Sequence, residues 1–478
     1  VGEKVEINER NDVVDLSGEF DVVVIGGGNA ALVSAMSARH LTKRVLVLER
    51  APFEVRGGNT RHTRNVRCVH TQADAYNTGS YLYDELWEDL CHVGTGPSNE
   101  ELAALTVRES QTVPLWMSEH GVNWQPPLSG TLHLGRTNRF FLGGGKALIN
   151  SYYRTLSAMG IGVSYNSSVE EFVLDGDRVT ALLVDVDGRR TKIRTKAVVC
   201  AAGGFEANID WLAKYWGAAA YNYCIRGPIY NDGTILAQLY QHGAAKAGEE
   251  RGFHAVAIDA RSPKFDGGIA TRLDSIPFAI VLNKYGDRFY DEGEDLWPKR
   301  YAIWGKNIAL QDDQIAYSIW DAKVVRQFLP PMYGPICAES LSEVGLQLGL
   351  DPVKLEETVA QFNQAIAADS VFDPTRLDGA HTVGLHPEKT NWAQPIDTPP
   401  FYGIAMRPGI TFTYMGVEVD NEARVQREDG TSFANVFAAG EIMSGNVLSS
   451  GYLAGFGLTI GSVWGRIAGR EAAKHVIG

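Results

Sequence analysis

The segment Val55–Cys68, VRGGNTRHTRNVRC, holds four arginines, a histidine and a Gly-Gly pair, with no acidic residue. The chain around it is acidic, with 44 Lys+Arg against 57 Asp+Glu and a formal net charge of -13. Positive charge gathered in one short loop of an acidic chain suits an anion. Gly57, Gly58, Asn59 and Thr60 are small, and their N–H groups suit close approach to a phosphate or a planar ring. Arg61, His62, Arg64 and Arg67 extend beyond them. A guanidinium pairs bidentately with a carboxylate and stays charged, so these side chains are candidates for an anionic substrate. They can equally pair with acids elsewhere in the chain. Outside the loop the same chemistry is offered by Arg136, Arg139, His254, Arg300 and Arg407, while Tyr414 and Tyr452 offer hydroxyls in strand-like or glycine-rich contexts. For any one of these, a surface salt bridge or a satisfied core position is the competing role.

A second pattern lies just upstream. Residues 21–25, DVVVI, are followed by GGGNAALVSAMSARHL and then RVLVLER, which predicts strand, glycine turn, helix and strand. The spacing is Gly26-x-Gly28-x-x-Ala31, with Glu49 ending the second strand 23 residues after Gly26. Gly26 permits the tight turn, Gly28 admits a pyrophosphate to the helix N-terminus, and Ala31 allows close helix–strand packing. Glu49 can accept hydrogen bonds from ribose hydroxyls. Asn29 and Ala30, which open the helix, and Arg50, beside Glu49, complete the predicted cofactor contacts here. This context predicts a dinucleotide site.

Two later strands bear on which dinucleotide. AVVCAAGGFEAN (197–208) and NVFAAGEIMSGNV (435–447) each end in small residues, and the second is followed by a glycine-rich turn and the helical pattern LTIGSVWGRIAGREAAKHV. A site completed by the last segment of the chain resembles flavoproteins in which the C-terminal strand and helix reach the flavin, so FAD is expected rather than NAD. Residues 163–195 alternate apolar and polar residues around Asp-Gly turns at 175–176 and 187–188, predicting a β-meander. Helices are expected over 143–160 and after Asp351, a plausible N-cap. From about 250 to 410, strand-like and helix-like pieces alternate with Pro-rich loops and no second dinucleotide signature.

The predicted fold class is therefore α/β: a two-lobed flavoprotein with a Rossmann-like FAD/NAD(P)-binding domain, formed discontinuously by 1–250 and 411–478, and an inserted α+β capping domain, 251–410. The acidic balance argues against a nucleic-acid or membrane-surface role. No apolar run approaches the roughly 20 residues needed to span a bilayer. The segment VGEKVEINERNDVVD is polar, unlike a signal peptide, and a cytoplasmic location is expected. The five cysteines are scattered with no C-x-x-C pair, which argues against a disulfide framework, a metal site or an iron–sulfur cluster held by this chain alone.

VVIGGGNAALVSA, RGGNT, AAGGFEAN and AAGEIMSGN together resemble the fumarate reductase/succinate dehydrogenase flavoprotein superfamily. APFEVRGGNTRHTRNVRCVH, WQPPLSGTLHLGRTN, VAIDARSPKFDGGIATRLD, RFYDEGEDLWPKRYAIWG and GNVLSSGYLAGFGLTIGSVWGRIAGREAA resemble the FAD-dependent tricarballylate dehydrogenases, which oxidise tricarballylate to cis-aconitate. The resemblance runs from about Asp21 to the end of the chain. It implies hydride transfer between a substrate carbon and flavin N5, a proton transfer at the neighbouring carbon, and a mobile cap supplying part of the substrate site. It also implies that Val169, Ala202, Gly203, Gly440, Glu441, Gly457 and Leu458 join the cofactor contacts, with the helix after Gly457 aimed at the flavin pyrimidine ring.

In fumarate reductases an arginine of the cap shuttles the proton. By position after RFYDEGEDLWPKR, Arg300 is the matching residue, with Asp291, Glu292 and Glu294 as an acidic relay. The histidine and late arginine that clamp a dicarboxylate in those enzymes are not reproduced: Phe412 stands at the first place and Gly451–Tyr452 at the second. Fumarate and succinate therefore become poor candidates. Catalytic roles are expected for Arg300, Tyr452 and His254, and substrate contacts for Arg61, His62, Arg64, Arg136 and Tyr414. Asn59 occupies the place of the histidine that bonds covalently to the flavin in succinate dehydrogenases, so FAD is expected to be non-covalent. Without an NAD site or cluster cysteines of its own, the chain is expected to pass electrons to a separate partner. The family implies a membrane iron–sulfur or haem protein, which would make the chain peripheral to the inner face of the membrane. The Gly-Tyr-x-x-Gly-x-Gly-x-Thr arrangement around Tyr452 also resembles 3-ketosteroid Δ1-dehydrogenases, where a tyrosine and a backbone N–H polarise a ketone. That is the alternative, together with a fumarate reductase-like enzyme acting on another C=C substrate.

Overall fold

The computed structural model describes residues 14–93, 98–127 and 134–478, and of Pro298 only the backbone. The polar N-terminal segment up to residue 13, and residues 128–133 of WQPPLSGTLHLGRTN, lie outside the described residues.

Val22, Val23 and Val24 are fully buried because their strand, Glu19–Ile25, lies between two parallel neighbours. Val45–Leu48 pairs with it on one side and Arg189–Cys200 on the other. A parallel strand covered on both faces needs a continuous apolar run, which is how residues 22–25 read. Across the sheet the order is Arg424–Gln426, Ser432–Ala438, Arg189–Cys200, Glu19–Ile25, Val45–Leu48 and Gly162–Ser164. The predicted meander forms its antiparallel extension, Ser167–Asp175 pairing with Arg178–Val186 and that strand with Arg189–Cys200. Its second turn places Asp187 and Gly188 at φ 50 and 81, the left-handed pair that a tight hairpin needs.

This topology gathers three strand ends. Cys200 pairs with Ile25 and with Ala438, so the loops beginning at Gly26, Ala201 and Ala439 leave the sheet side by side. Ligands of open parallel sheets bind at the carboxyl ends of such strands. The helix Asn29–Arg39 leaves the first of these loops and packs on the last helix, Phe456–Ile477. Gly461, Gly465 and Gly469 face it at four-residue spacing, and a Cβ on Gly465 would stand 2.7 Å from the Ala30 carbonyl oxygen.

A second sheet is organised by the long strand Phe401–Thr413. Phe253–Asp259, Ala316–Asp321 and Ile336–Ala338 pair with it antiparallel, and Cys224–Ile225 parallel. This sheet therefore draws on residues before 251 and runs on past 410. Trp297, Tyr301 and Trp304 pack in one apolar cluster beside it, and Leu355, Val359 and Phe362 in another. The helix carrying the latter, Pro352–Ala365, starts as expected at Asp351, whose carboxylate accepts from the N–H groups of Val353 and Lys354 at 2.9 and 3.3 Å. Among the described residues no helix is long and apolar enough to cross a membrane.

Candidate active site

One cleft of about 1600 Å³, its solvent-open mouth included, runs from the Gly26–Gly28 turn past the ends of all three loops to the start of the last helix. At its first end Gly26 takes φ 114, and a Cβ there would collide with the Ala201 carbonyl. Gly28 has no side chain to cap the helix that follows it; Asn29 N–H donates instead to Thr60 Oγ1 at 3.0 Å, tying the turn to the basic loop. The Asn29 side chain donates to Leu458 O at 3.3 Å and to Ser462 Oγ at 3.1 Å, so it also fastens the first helix to the last. Glu49 is buried, and its carboxylate accepts from Ala51 N–H at 2.9 Å and Gly57 N–H at 3.3 Å. A carboxylate has about four lone-pair sites, so acceptor capacity towards a ribose remains. Burial pushes the Glu49 carboxyl above its ordinary range. Arg50 lies at the cleft and pairs with Asp232 at 2.7 Å.

Midway along the cleft two carboxyls are buried together. Asn59 Nδ2 donates to Glu206 Oε1 at 2.5 Å and to Thr411 O at 2.6 Å, and Asn231 Nδ2 donates to the same Glu206 oxygen at 2.8 Å. Glu441 Oε1 accepts from Thr413 N–H at 2.8 Å. Gly204 lies between these acids, where a Cβ would run into Glu441 Oε1 and come within 2.9 Å of Glu206 Oε2. Burial raises the Glu206 carboxyl, and burial and then the Glu206 charge push Glu441 well above its ordinary value. Glu206 Oε2 and Asn59 Oδ1 are buried without a partner.

The other end of the cleft is lined by three guanidiniums, Arg64, Arg226 and Arg272, together with His254, Tyr301 and Tyr452. Arg226 is buried; its Nε donates to Gly268 O at 3.0 Å and its Nη1 to Thr411 Oγ1 at 2.8 Å. Arg272 pairs with Asp274 at 2.7 Å, and its guanidinium lies 5.0 Å from the Tyr301 ring centre. Neither Arg64 nor Arg226 forms an ion pair among the described residues. Burial, and after it the charge of Arg272, pushes each of them down to about 10. Burial alone would raise the Asp274 carboxyl, but Arg272 and Arg64 hold it below its ordinary value. His254 stacks on Tyr452 with ring centres 3.9 Å apart and meets Tyr301 edge to face at 5.5 Å. Burial first, then Arg226 and Arg272, keep its imidazole far below the usual histidine range and hence neutral; its Nδ1 is buried without a partner. Gly457 N–H donates to the Tyr452 oxygen at 3.0 Å.

Of the residues singled out from sequence, Gly26, Gly28, Asn29, Ala30, Glu49, Arg50, Gly58, Asn59, Thr60, Val169, Ala202, Gly203, Gly440, Glu441, Gly457 and Leu458 line the cleft, as do His62, Arg64, His254 and Tyr452. Five do not. Gly57 supports the loop from behind at φ 104, its Cα against Ile149. Arg61 donates to Val55 O at 3.0 Å and stands 3.8 Å from Asp266, which also binds His62. Arg136 pairs with Glu85, and Tyr414 is fully buried with its hydroxyl on Gly451 O at 3.0 Å. The expected proton shuttle, Arg300, pairs with Glu294 away from the cleft, while the next residue, Tyr301, lines it. Of the expected relay, Glu294 stands on Arg300 as expected, while Glu292 is buried on Arg288 at 2.5 Å and Asp291 accepts from the Thr390 hydroxyl at 2.6 Å. Ion pairing with nearer acids is thus what draws Arg136 and Arg300 away. Sequence reasoning missed Arg226, Arg272, Tyr301 and Glu206. Arg272 lies in GGIATRLD and Glu206 in GGFEAN, so a glycine pair followed by a charged residue was the signal available.

Residues 21–458 match the family model described as FAD binding domain. NADH:fumarate oxidoreductase of Klebsiella pneumoniae (strain 342) is 26% identical over 476 residues, covering 96% of this chain and 48% of that protein, so the chain spans about half the length of this relative. The open conformation of a flavocytochrome c3 fumarate reductase is similar in fold, with a TM-score of 0.73 at 22% identity over 97% of this chain and 79% of that one. A 3-ketosteroid delta1-dehydrogenase from Sterolibacterium denitrificans gives a TM-score of 0.73 at 18% identity over 96% and 100%. The cleft fits FAD on its own terms. Its glycine turn would be closed by a Cβ on Gly26, it opens on a helix N-terminus preceded by a glycine N-cap, and the buried Oδ1 of Asn59, which lines it, stands without a partner. With this cradle and a match over most of its length, the chain belongs to the FAD binding domain family.

Proposed function

We propose that this chain is an FAD-dependent dehydrogenase acting on a CH–CH bond of a polycarboxylate such as tricarballylate, with cis-aconitate as the product. The observation that carries this is the group of three guanidiniums, those of buried Arg226 and of half-buried Arg64 and Arg272, with Asp274 as the one carboxylate paired to it among the described residues. Buried charge is costly unless compensated. Two or more substrate carboxylates supply that compensation and are held in return by charge-assisted hydrogen bonds. The same cations, fixed beforehand and shielded from water, stabilise the negative charge that develops when a proton is removed beside a carboxylate. FAD, held without a covalent link, supplies the two-electron acceptor for the hydride. A 3-ketosteroid is favoured by one feature, the Tyr452 oxygen with Gly457 N–H upon it, but it would leave the guanidiniums uncompensated.

Electrons then leave to a separate redox protein. Residues 251–410 act as the cap of the two-lobed arrangement, and the chain works in the cytoplasm, peripheral to the membrane through its partner. Anaerobic mixing tests the reading: tricarballylate should bleach the flavin, while succinate and a 3-ketosteroid should not. Bleaching by the steroid alone would overturn it.

A further inference from the structure

We propose that Tyr301, and not Arg300, is the residue that carries the proton in this reaction, and that the turn Trp297–Tyr301 is docked to hold its hydroxyl in the cleft. The assignment rests on the proposed CH–CH dehydrogenation. Its starting point is which side chains of that turn reach the cleft. Each of the polar ones except Tyr301 is engaged elsewhere. Trp297 Nε1 donates to Asp274 Oδ1 at 2.7 Å, Lys299 Nζ pairs with Asp89 at 2.6 Å, and Arg300 pairs with Glu294. Asp89 is itself fixed, accepting from the Tyr81 hydroxyl at 2.6 Å, and that hydroxyl accepts from Arg67 Nη1 at 2.7 Å. The turn is therefore pinned from two directions, to the loop carrying Asp274 and to the helix Tyr83–His92. Tyr301 is left lining the cleft beside the guanidiniums, with that of Arg272 5.0 Å from its ring centre.

The competing groups at this end of the cleft are less suited. His254 is held neutral by burial and by Arg226 and Arg272, and a group that resists protonation is a poor acceptor for a substrate proton. The oxygen of Tyr452 already accepts Gly457 N–H. Burial holds the Tyr301 phenol above its ordinary value, and Arg272, Arg226, Arg67 and Arg64 partly offset this by favouring the phenolate. A phenol poised among cations can release and retake a proton within one cycle. In the oxidising direction the flavin, when bound, would take up the hydride, both electrons with the hydrogen, that one substrate carbon loses. The neighbouring carbon gives its proton to the Tyr301 phenolate, and the electron pair of that C–H bond becomes the new π bond. The phenol then loses its proton to solvent before the next turnover. In the reducing direction the same hydroxyl donates.

The test uses the FAD-loaded full chain in stopped-flow anaerobic half-reactions. Tyr301→Phe should slow bleaching by tricarballylate by about 100- to 10,000-fold, the usual worth of a positioned proton carrier. Flavin occupancy and the spectral shift on ligand binding should stay unchanged. Arg300→Lys should bleach within about threefold of the parent rate. In the parent, the bleaching rate should rise with pH along a single ionisation, and that ionisation should vanish from the residual rate of Tyr301→Phe. Fast bleaching by Tyr301→Phe, or its slow bleaching with the parent pH profile intact, would remove Tyr301 from the mechanism while leaving the polycarboxylate reading in place. If no polycarboxylate bleaches the parent flavin, both fall together.

Discussion

A guanidinium normally keeps its charge at any accessible pH, so three of them in one largely enclosed wall create a standing demand for negative charge. Asp274 answers part of it. Burial first, and after it Arg226 and Arg272, keep the His254 imidazole neutral. This has a consequence for stability. His254 has a depressed proton affinity in the folded chain and the ordinary value, about 6.5, when unfolded. Below that pH the unfolded state binds the proton and the folded state does not, so stability is full above about pH 6.5 and falls as pH drops. One such group contributes a slope of up to about 1.4 kcal/mol per pH unit. We expect His254→Gln to flatten the decline with falling pH of the unfolding free energy read from urea titrations between about pH 5 and 6.5, by at most this slope relative to the parent. An unchanged slope would mean that His254 is protonated in the native cleft. At this scale the sequence was only partly legible. Arg64 was visible because its whole loop is basic, whereas Arg226 and Arg272 stand singly in CIRGPI and IATRLD and meet Arg64 only through tertiary folding.

Elements were more legible than side chains, because their signals are periodic and local. DVVVI, the Asp-Gly turns and Asp351 each act within a few residues, and each forms the strand, hairpin or cap it predicts. The contact between the first and last helices has no local signal, since its partners are more than 400 residues apart, as Asn29 and Ser462 are. Its glycines nevertheless fix the cleft, because the two helices can approach only where both lack bulk. A Cβ at Gly469 would overlap the backbone of Ser34, and backbone yields less readily than a flexible side chain. We expect Gly469→Ala to cost about 1–3 kcal/mol of stability through overpacking. It should also loosen FAD, because shifting the first helix moves Asn29 and the glycine turn together. Calorimetry with and without added FAD reads both effects. A stability loss with unchanged FAD affinity would show that the helix contact supports the lobe without setting the cradle.

At the scale of the whole molecule, two opposite fields act on a polycarboxylate. The chain carries a formal net charge of -13, which repels it at a distance, while Arg64, Arg226 and Arg272 attract it within the cleft. Composition makes the first field legible, but the second exists only once strand Phe401–Thr413 brings Thr411 to Arg226 and the basic loop folds beneath it. Salt separates the two. The screening length falls from about 30 Å at 0.01 M to about 8 Å at 0.15 M, so long-range repulsion fades while buried, short-range pairs are screened much less. Association of tricarballylate with the FAD-loaded chain should therefore speed up, or at least not slow, as salt rises over this range. This is the reverse of electrostatic steering by a basic surface. Dissociation should change little with salt. Arg226→Gln should speed dissociation by about tenfold or more, as expected for losing a charge-assisted hydrogen bond worth about 1.5–3 kcal/mol, and should leave the salt dependence of association as it was. An association rate that falls steeply with salt would place the attracting charge on the exposed surface instead of in the largely enclosed arginine wall.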